Sequence, residues 1–306
     1  MRRRRSRPVH PFLMLAVAGL LVGGNGGAAA TRSAEGAPLP EGDPVLVAAG
    51  DIASCSSDGD EATARLLDGI AGTVATLGDH VYDRGTAAEY ADCYDPTWGR
   101  HKARTRPVPG NHDYGTPGAA GYFGYFGDAA GAAGRGWYSY DLGAWHVLAL
   151  NSNCDAVGGC GAGSRQERWL RADLAAHPMA CTLAYWHHPR FSSGAHGDDE
   201  ETGPLWQALH DAGADVVLNG HDHDYERFAP QDPQGRADPD RGIVEFVVGT
   251  GGKELRGFGA ARPHSEVRDH EAHGVLKLTL RPTGYDWAFV PIADHTFRDA
   301  GSAPCH

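Results

Sequence analysis

The chain has 306 residues, and its 39 Asp and Glu outnumber 27 Lys and Arg to give a formal charge of −12. So acidic a surface does not attract nucleic acid or anionic membranes, which leaves small molecules as the expected substrates. Beyond the amino terminus the length fits one large domain, with no internal repeat and no obvious linker.

In chain order, Arg2 to Arg5 and Arg7 form a basic stretch, Phe12 to Gly24 is apolar, and Ala28-Ala29-Ala30 offers small residues for cleavage. Residues 1–30 therefore read as a secretory signal peptide, because an apolar run this short does not span a bilayer. The arginine pair leaves the export route open between general and twin-arginine secretion. Cleavage removes five arginines and no acids, taking the formal charge from −12 to −17. Residues 31–43, rich in Ala, Gly and Pro, read as a flexible leader, and 44–306 as the functional domain. No second apolar segment of spanning length follows, so a secreted, soluble mature protein is expected.

Apolar runs then alternate with helical patterns. Val45 to Ala49, Thr73 to Leu77, Arg106 to Pro109, Cys181 to Trp186 and Val216 to Leu218 read as buried strands. Asp60 to Leu67, Gln166 to Ala176 and Pro204 to Ala212 read as helices between them. Towards the end, Ile243 to Val248, Val275 to Leu280 and Tyr285 to Val290 are strand-like and connected without helices. They imply a second sheet of mixed or antiparallel strands packed on the first. Gly115 to Gly136 and Ala229 to Asp240, rich in Gly or Pro, read as loops that shape a cleft.

The six cysteines, Cys55, Cys93, Cys154, Cys160, Cys181 and Cys305, contain no Cys-x-x-Cys pair. In an exported chain an even set of this kind argues for disulfides over zinc or redox chemistry. Fifteen connectivities exist. Cys55–Cys93 is favoured because both lie in loops just after strands that carry candidate site residues. Cys154–Cys160 would close a small glycine-rich loop, and Cys181–Cys305 follows by elimination.

Polar residues stand just past the apolar runs. Asp51 follows the first and Asp79 the second, with Tyr82 three residues on; Asn111-His112-Asp113, His187-His188-Pro189 and Gly220-His221-Asp222-His223 follow the others. Ligands gather at the carboxyl ends of strands in open α/β sheets, so five such endings can converge. Carboxylates, a carboxamide, a phenol and imidazoles together suit Fe, Mn or Zn. Singly, each residue has a plainer reading, such as a cap, a turn or a packed aromatic. Jointly they do not. His80, His188, His264 and His270 read as surface residues, His188 the one near a bound phosphate.

The series Gly50-Asp51, Gly78-Asp79, Gly110-Asn111-His112-Asp113, His187-x-Pro189 and Gly220-His221-x-His223 resembles the calcineurin-like metallophosphoesterase superfamily. Within it the chain is most similar to the purple acid phosphatases, because Ala53 replaces a histidine usual elsewhere and Tyr82 stands where that branch has a tyrosine. The resemblance covers about Val45 to Thr250 and implies a four-layer α/β/β/α sandwich with two mixed sheets. It also implies two metal ions. Asp51, Asp79, Tyr82 and His223 would hold Fe(III); Asp79, Asn111, His187 and His221 would hold a divalent Fe, Zn or Mn, with Asp79 bridging. It further implies that His112 acts as acid at the leaving oxygen and that His196 contacts substrate. The expected reaction is hydrolysis of phosphate monoesters by a metal-bound hydroxide. A phosphodiesterase or nucleotidase on the same fold, or a secreted metal- or phosphate-binding protein without turnover, are the alternatives. Substrate, second metal, pH optimum and oligomeric state are not legible.

Overall fold

The computed structural model describes residues 42–306, so the expected signal peptide and all of the leader but Gly42 and Asp43 lie outside the described residues. One sheet has six strands, in the order Ala300–Pro304, Gly284–Pro291, Gly274–Arg281, Val45–Ala49, Thr73–Thr76 and Thr105–Pro107. The last three run parallel, and Gly274–Arg281 pairs with Val45–Ala49 antiparallel, Val47 opposite Lys277. A second sheet has seven, in the order Ser265–Asp269, Tyr225–Phe228, Val244–Val248, Val216–Asn219, Cys181–Tyr185, Trp145–Ala149 and Tyr138–Leu142, and a separate two-stranded sheet pairs Ala53–Ser54 with Val81–Tyr82. In the seven-stranded sheet the four adjacent strands from Val244–Val248 to Trp145–Ala149 are parallel, and both flanks are antiparallel.

The strand-like segments near the end therefore do not form a sheet of their own. Val244–Val248 extends the parallel strands of the seven-stranded sheet, while Gly274–Arg281 and Gly284–Pro291 join the sheet that begins with Val45–Ala49. The apolar runs thus divide between two sheets.

Adjacent residues of a strand face opposite ways, and burial follows that rule. Leu183, Val216, Leu218 and Phe246 share a core with Leu46, Leu276 and Leu278 of the opposing sheet. Their neighbours Ala184, Val217 and Val247 pack instead with Leu170 and Leu174 of helix Arg165–Ala176 and Leu205 and Leu209 of helix Gly203–Asp211. Helix Gly59–Gly69 buries Ala64 and Leu67 in the core of the six-stranded side. Strands covered on both faces must be apolar throughout, which explains the uninterrupted runs. The three disulfides are Cys55–Cys93, Cys154–Cys160 and Cys181–Cys305, with Cα separations of 5.1, 5.1 and 5.5 Å. Among the described residues no helix is long and apolar enough to cross a membrane.

Two local readings need correction. The stretch Gly115 to Gly136 is not all loop: Ala120–Phe126 is helical and buries Tyr122 and Phe126, with the Tyr122 hydroxyl donating to the Pro107 carbonyl at 3.0 Å. His80 is fully buried rather than at the surface. Its Nδ1 lies 2.9 Å from Asp113 Oδ2 and its Nε2 2.7 Å from Thr76 Oγ1. Asp113 also accepts the Gly110 N–H at 2.8 Å, so His80 supports the turn that carries Asn111 and His112.

Candidate metal centre

The parallel strands of both sheets deliver their carboxyl ends to one place. Asp51 and Asp79 follow Val45–Ala49 and Thr73–Thr76, Asn111 follows Thr105–Pro107, and Tyr82 closes the short strand Val81–Tyr82. From the other sheet, His187 follows Cys181–Tyr185, and His221 and His223 follow Val216–Asn219. Turning a side chain sideways off a strand end needs unusual backbone: Asp51, Asp79 and His221 have φ of 59°, 50° and 72°. Non-glycine residues in that left-handed region typically cost about 1–3 kcal/mol and persist where surrounding structure enforces them. Close approach does the enforcing. A Cβ on Gly110 would sit 2.1 Å from Asp79 Oδ1, and one on Gly220 2.7 Å from Asp51 Oδ2.

The converging atoms are almost all acceptors. His187 Nδ1 lies 2.8 Å from the Leu77 carbonyl oxygen, and His223 Nδ1 2.8 Å from that of Glu254. A carbonyl only accepts, so each Nδ1 carries a proton and each ring turns its Nε2 inward, the nitrogen that would bind a metal ion in place of a second proton. His187 Nε2 then faces Asn111 Oδ1 at 3.0 Å and Asp79 Oδ2 at 3.3 Å. His223 Nε2 faces the Tyr82 oxygen at 3.2 Å and Asp51 Oδ1 at 3.4 Å. The Tyr82 hydroxyl donates to Asp51 Oδ1 at 2.8 Å and lies 3.2 Å from Asp79 Oδ2. Asp51, Asp79 and His187 are at most 1% exposed. Buried lone pairs that face one another need cations or extra protons between them. Carboxylate, phenol, carboxamide and imidazole donors held from behind by backbone carbonyls fit transition-metal ions well.

Ionisation in the protein alone reflects the same demand. Burial lowers the His187 pKa, but the Asp79 carboxylate, with Asp51 behind it, outweighs burial and lifts it to about 9. Burial raises Asp79, yet His187 and His112 together hold it well below the usual carboxylate range. Burial, then Asp51 and Asp79, push the Tyr82 phenol well above 10. A proton on His187 thus stands in for a cation.

Around this core lie three further histidines. The His112 ring is 4.3 Å from that of Tyr82, its backbone N–H donates to Asp79 Oδ1 at 2.7 Å, and its Nδ1 sits 2.6 Å from the Asp83 carbonyl oxygen. His196 stacks on His221 at 4.2 Å. His188 lies 4.4 Å from the His221 ring, and His187, His188 and His221 each offer a nitrogen to a common point. Burial, then His187, pushes the His188 pKa down to about 3, so it is neutral. It belongs to the centre rather than to the outer surface. His264 is half-buried and His270 exposed.

Sequence reading also missed what fixes the loop carrying His196. Three buried acids hold it. Glu245 accepts the Arg190 N–H, Glu226 accepts the Ser193 N–H and hydroxyl, and Asp222 accepts the Ser192 hydroxyl and the His196 N–H. Asp222 stands inside a two-histidine motif and could have been singled out there. Glu226 closes the same motif run, whereas Glu245 lies within the strand Val244–Val248 and carries no such signal.

The family model for calcineurin-like phosphoesterases matches residues 41–225. Purple acid phosphatase 22 of Arabidopsis thaliana is 33% identical over 153 residues, a stretch covering 46% of this chain and 34% of that protein. Acid phosphatase type 7 of Homo sapiens is 31% identical over 177 residues, covering 47% and 40%. The match therefore spans well under half the length of these relatives. Among solved structures, purple acid phosphatase PPD1 of yellow lupin (Lupinus luteus) superposes with a TM-score of 0.66 at 20% identity, covering 85% of this chain and 53% of that one. GAP50, the anchor in the inner membrane complex of Plasmodium, gives 0.66 at 14% identity, covering 87% and 90%. At such identities these two speak to the fold alone. With its family model spanning more than half the residues, the chain belongs to the calcineurin-like phosphoesterases.

Proposed function

We propose that the protein is an exported, metal-dependent phosphoric ester hydrolase acting on small phosphate monoesters. The observation that carries this reading is the position of Asp79, whose Oδ2 lies 3.2 Å from the Tyr82 oxygen and 3.3 Å from His187 Nε2. One carboxylate thereby belongs to two donor groups. Asp51, Asp79, Tyr82 and His223 would hold one ion, and a phenolate with two carboxylates favours Fe(III). Asp79, Asn111, His187 and His221 would hold a divalent Fe, Zn or Mn. Bound there, two cations supply the positive charge that clamps a phosphoryl group and make water a competent nucleophile near neutral pH.

The protein's own groups then divide the remaining work. His112 keeps its Nδ1 proton on the Asp83 carbonyl, which leaves Nε2 to deliver a proton to the departing oxygen. His188 and His196 flank His221 and offer neutral N–H donors to phosphate oxygens. Export through the residue 1–30 segment accords with three disulfides, which persist outside the reducing cytoplasm.

The test is metal analysis with a visible spectrum, followed by hydrolysis of 4-nitrophenyl phosphate and of its bis-ester. Two metals per chain, a purple or pink band lost in Tyr82→Phe, and a preference for the monoester are expected. A colourless, active protein with two zinc ions would remove iron. Preference for the diester would favour a phosphodiesterase, and no hydrolysis with both metals loaded would end the enzyme reading.

A further inference from the structure

A second group of metal-ligating side chains lies away from the centre, on the outer face of the seven-stranded sheet. His146 is the second residue of strand Trp145–Ala149. Alternation puts it on the same face as Leu148, which packs with Leu170 and Leu174 of helix Arg165–Ala176. An imidazole thus stands where an apolar side chain is expected, and it is 1% exposed. Carboxylates flank it on both sides. Asp141, directly opposite on strand Tyr138–Leu142, lies 2.8 Å from Nδ1, and Asp173 of the helix lies 2.8 Å from Nε2. A neutral imidazole has one N–H, so it donates to one of these carboxylates and not to both. The other nitrogen then opposes its carboxylate lone pair to lone pair, a contact that calls for a shared cation.

His177 completes the group. It stands four residues after Asp173 at the end of the same helix, the spacing that puts two side chains on one face. Its ring stacks on that of His146, 4.5 Å between centroids and 14° between planes. Its Nδ1 donates to the Asp173 carbonyl oxygen at 2.8 Å, so a neutral ring keeps Nε2 free for an ion. His146, Asp173 and His177 each offer one atom, and the three atoms lie within 4.8 Å of one another. Two imidazoles and a carboxylate are a donor set for zinc, with water in the fourth position. Support from behind is in place. Asp141 can accept the Nδ1 proton of His146 and so turn Nε2 to an ion, and the Ser139 hydroxyl donates to Asp173 Oδ1 at 3.0 Å. The His177 side chain is 42% exposed, which opens the group to solvent and gives an ion its way in.

We propose that His146, Asp173 and His177 form a binding site for one zinc ion, separate from the candidate metal centre. His146 lies towards the amino end of its strand, whereas the centre gathers at the carboxyl ends. An ion at this site would pin the last turn of helix Arg165–Ala176 to the hairpin formed by Tyr138–Leu142 and Trp145–Ala149. Its effect is on the stability of that sheet edge, and it takes no part in hydrolysis.

The probe is zinc itself, added to the full protein after the ions of the centre have been counted. Three ligands at a half-open site hold zinc less firmly than the centre does, so uptake is measured at equilibrium with free micromolar zinc. Wild type should gain one further ion per chain. His177→Ala, a change at an exposed helix end, should gain none and should hydrolyse 4-nitrophenyl phosphate as wild type does. Asp141→Ala keeps all three ligands but loses the orienting carboxylate, and calorimetry should find its affinity for this ion about 10–100-fold weaker. Free zinc should raise the melting temperature of wild type and leave that of His177→Ala where it was. Equal zinc uptake by wild type and His177→Ala would overturn the proposal, leaving His146 an imidazolium held between two carboxylates. So would a turnover defect in His177→Ala that follows its lost ion, because that ion would then serve the catalytic centre. Because uptake is read as a difference between two proteins, it decides this site whether or not the phosphatase reading holds.

Discussion

The carboxylate of Asp222, flanked in sequence by His221 and His223, accepts the backbone N–H of His196 at 2.8 Å and the Ser192 hydroxyl at 2.5 Å. A residue between two candidate metal ligands is thus committed to the loop that faces the substrate. Asp222→Ala should leave metal content near wild type, raise KM more than it lowers kcat, and speed amide exchange at residues 192–198. Loss of this buried acceptor should also cost about 1–3 kcal/mol of stability. Unchanged exchange in the loop would show that Glu226 and Glu245 suffice to hold it.

Asp79 tests whether the two donor groups are one centre. Asp79→Ala removes the only carboxylate proposed to serve both ions, so metal content should fall at both positions and turnover should vanish. Elemental analysis that still finds two ions per chain would mean the bridge is elsewhere.

For His112 the discriminating variable is the leaving group. A positioned general acid contributes about 10²–10⁴-fold, more for basic leaving groups. His112→Ala should therefore impair alkyl phosphates severely and 4-nitrophenyl phosphate much less, with metal content unaffected. Equal losses on the two would recast His112 as a phosphate-binding group.

The metal-free protein should show a pH signature of its own. His187 is raised from 6.5 to about 9, so the stabilisation from its proton is complete below pH 6.5 and disappears as pH climbs through 9. Asp79 is lowered from 3.8, so its contribution is present above pH 3.8 and fades as the solution becomes more acid. Thermal unfolding after chelation should accordingly weaken on both sides of roughly pH 4–6.5. Reloading metal should abolish the alkaline decline, because a cation then replaces the proton. A metal-free melting temperature that is flat from pH 6 to 9 would count against this account of His187.

Much of the site was legible because each donor follows an apolar run, and burial on both faces makes such runs continuous. Asp51, Asp79, Asn111, His187 and His221 all sit within a few residues of a strand end. The cysteine pairs were legible as well, since Cys55 and Cys93 flank the same corner and Cys154 and Cys160 enclose a short loop. Sheet membership was not. Val275 to Leu280 has the same alternation whichever neighbour it takes, and only tertiary packing sets it beside Val45–Ala49. The strands Tyr138–Leu142 and Trp145–Ala149 were missed beside a Gly-rich stretch, and the helix Ala120–Phe126 was hidden by composition although Tyr122 and Phe126 are spaced for one buried face. His80 was misread because the partner that makes its burial tolerable, Asp113, lies 33 residues away.

The six-stranded side furnishes the oxygen donors Asp51, Asp79 and Asn111, and the seven-stranded sheet furnishes the imidazoles His187, His221 and His223. Neither half can capture a pair of ions alone. During folding, each sheet could form its own hydrogen bonds while the metal pocket did not yet exist, and it would come into being only when the two faces docked. Ions would thus select the fully assembled chain over any half-folded one, drawing the last step of folding forward by mass action. The centre would then act as a rivet between the sheets as well as a place for chemistry, and its occupancy would report whether an emerging chain had finished its assembly.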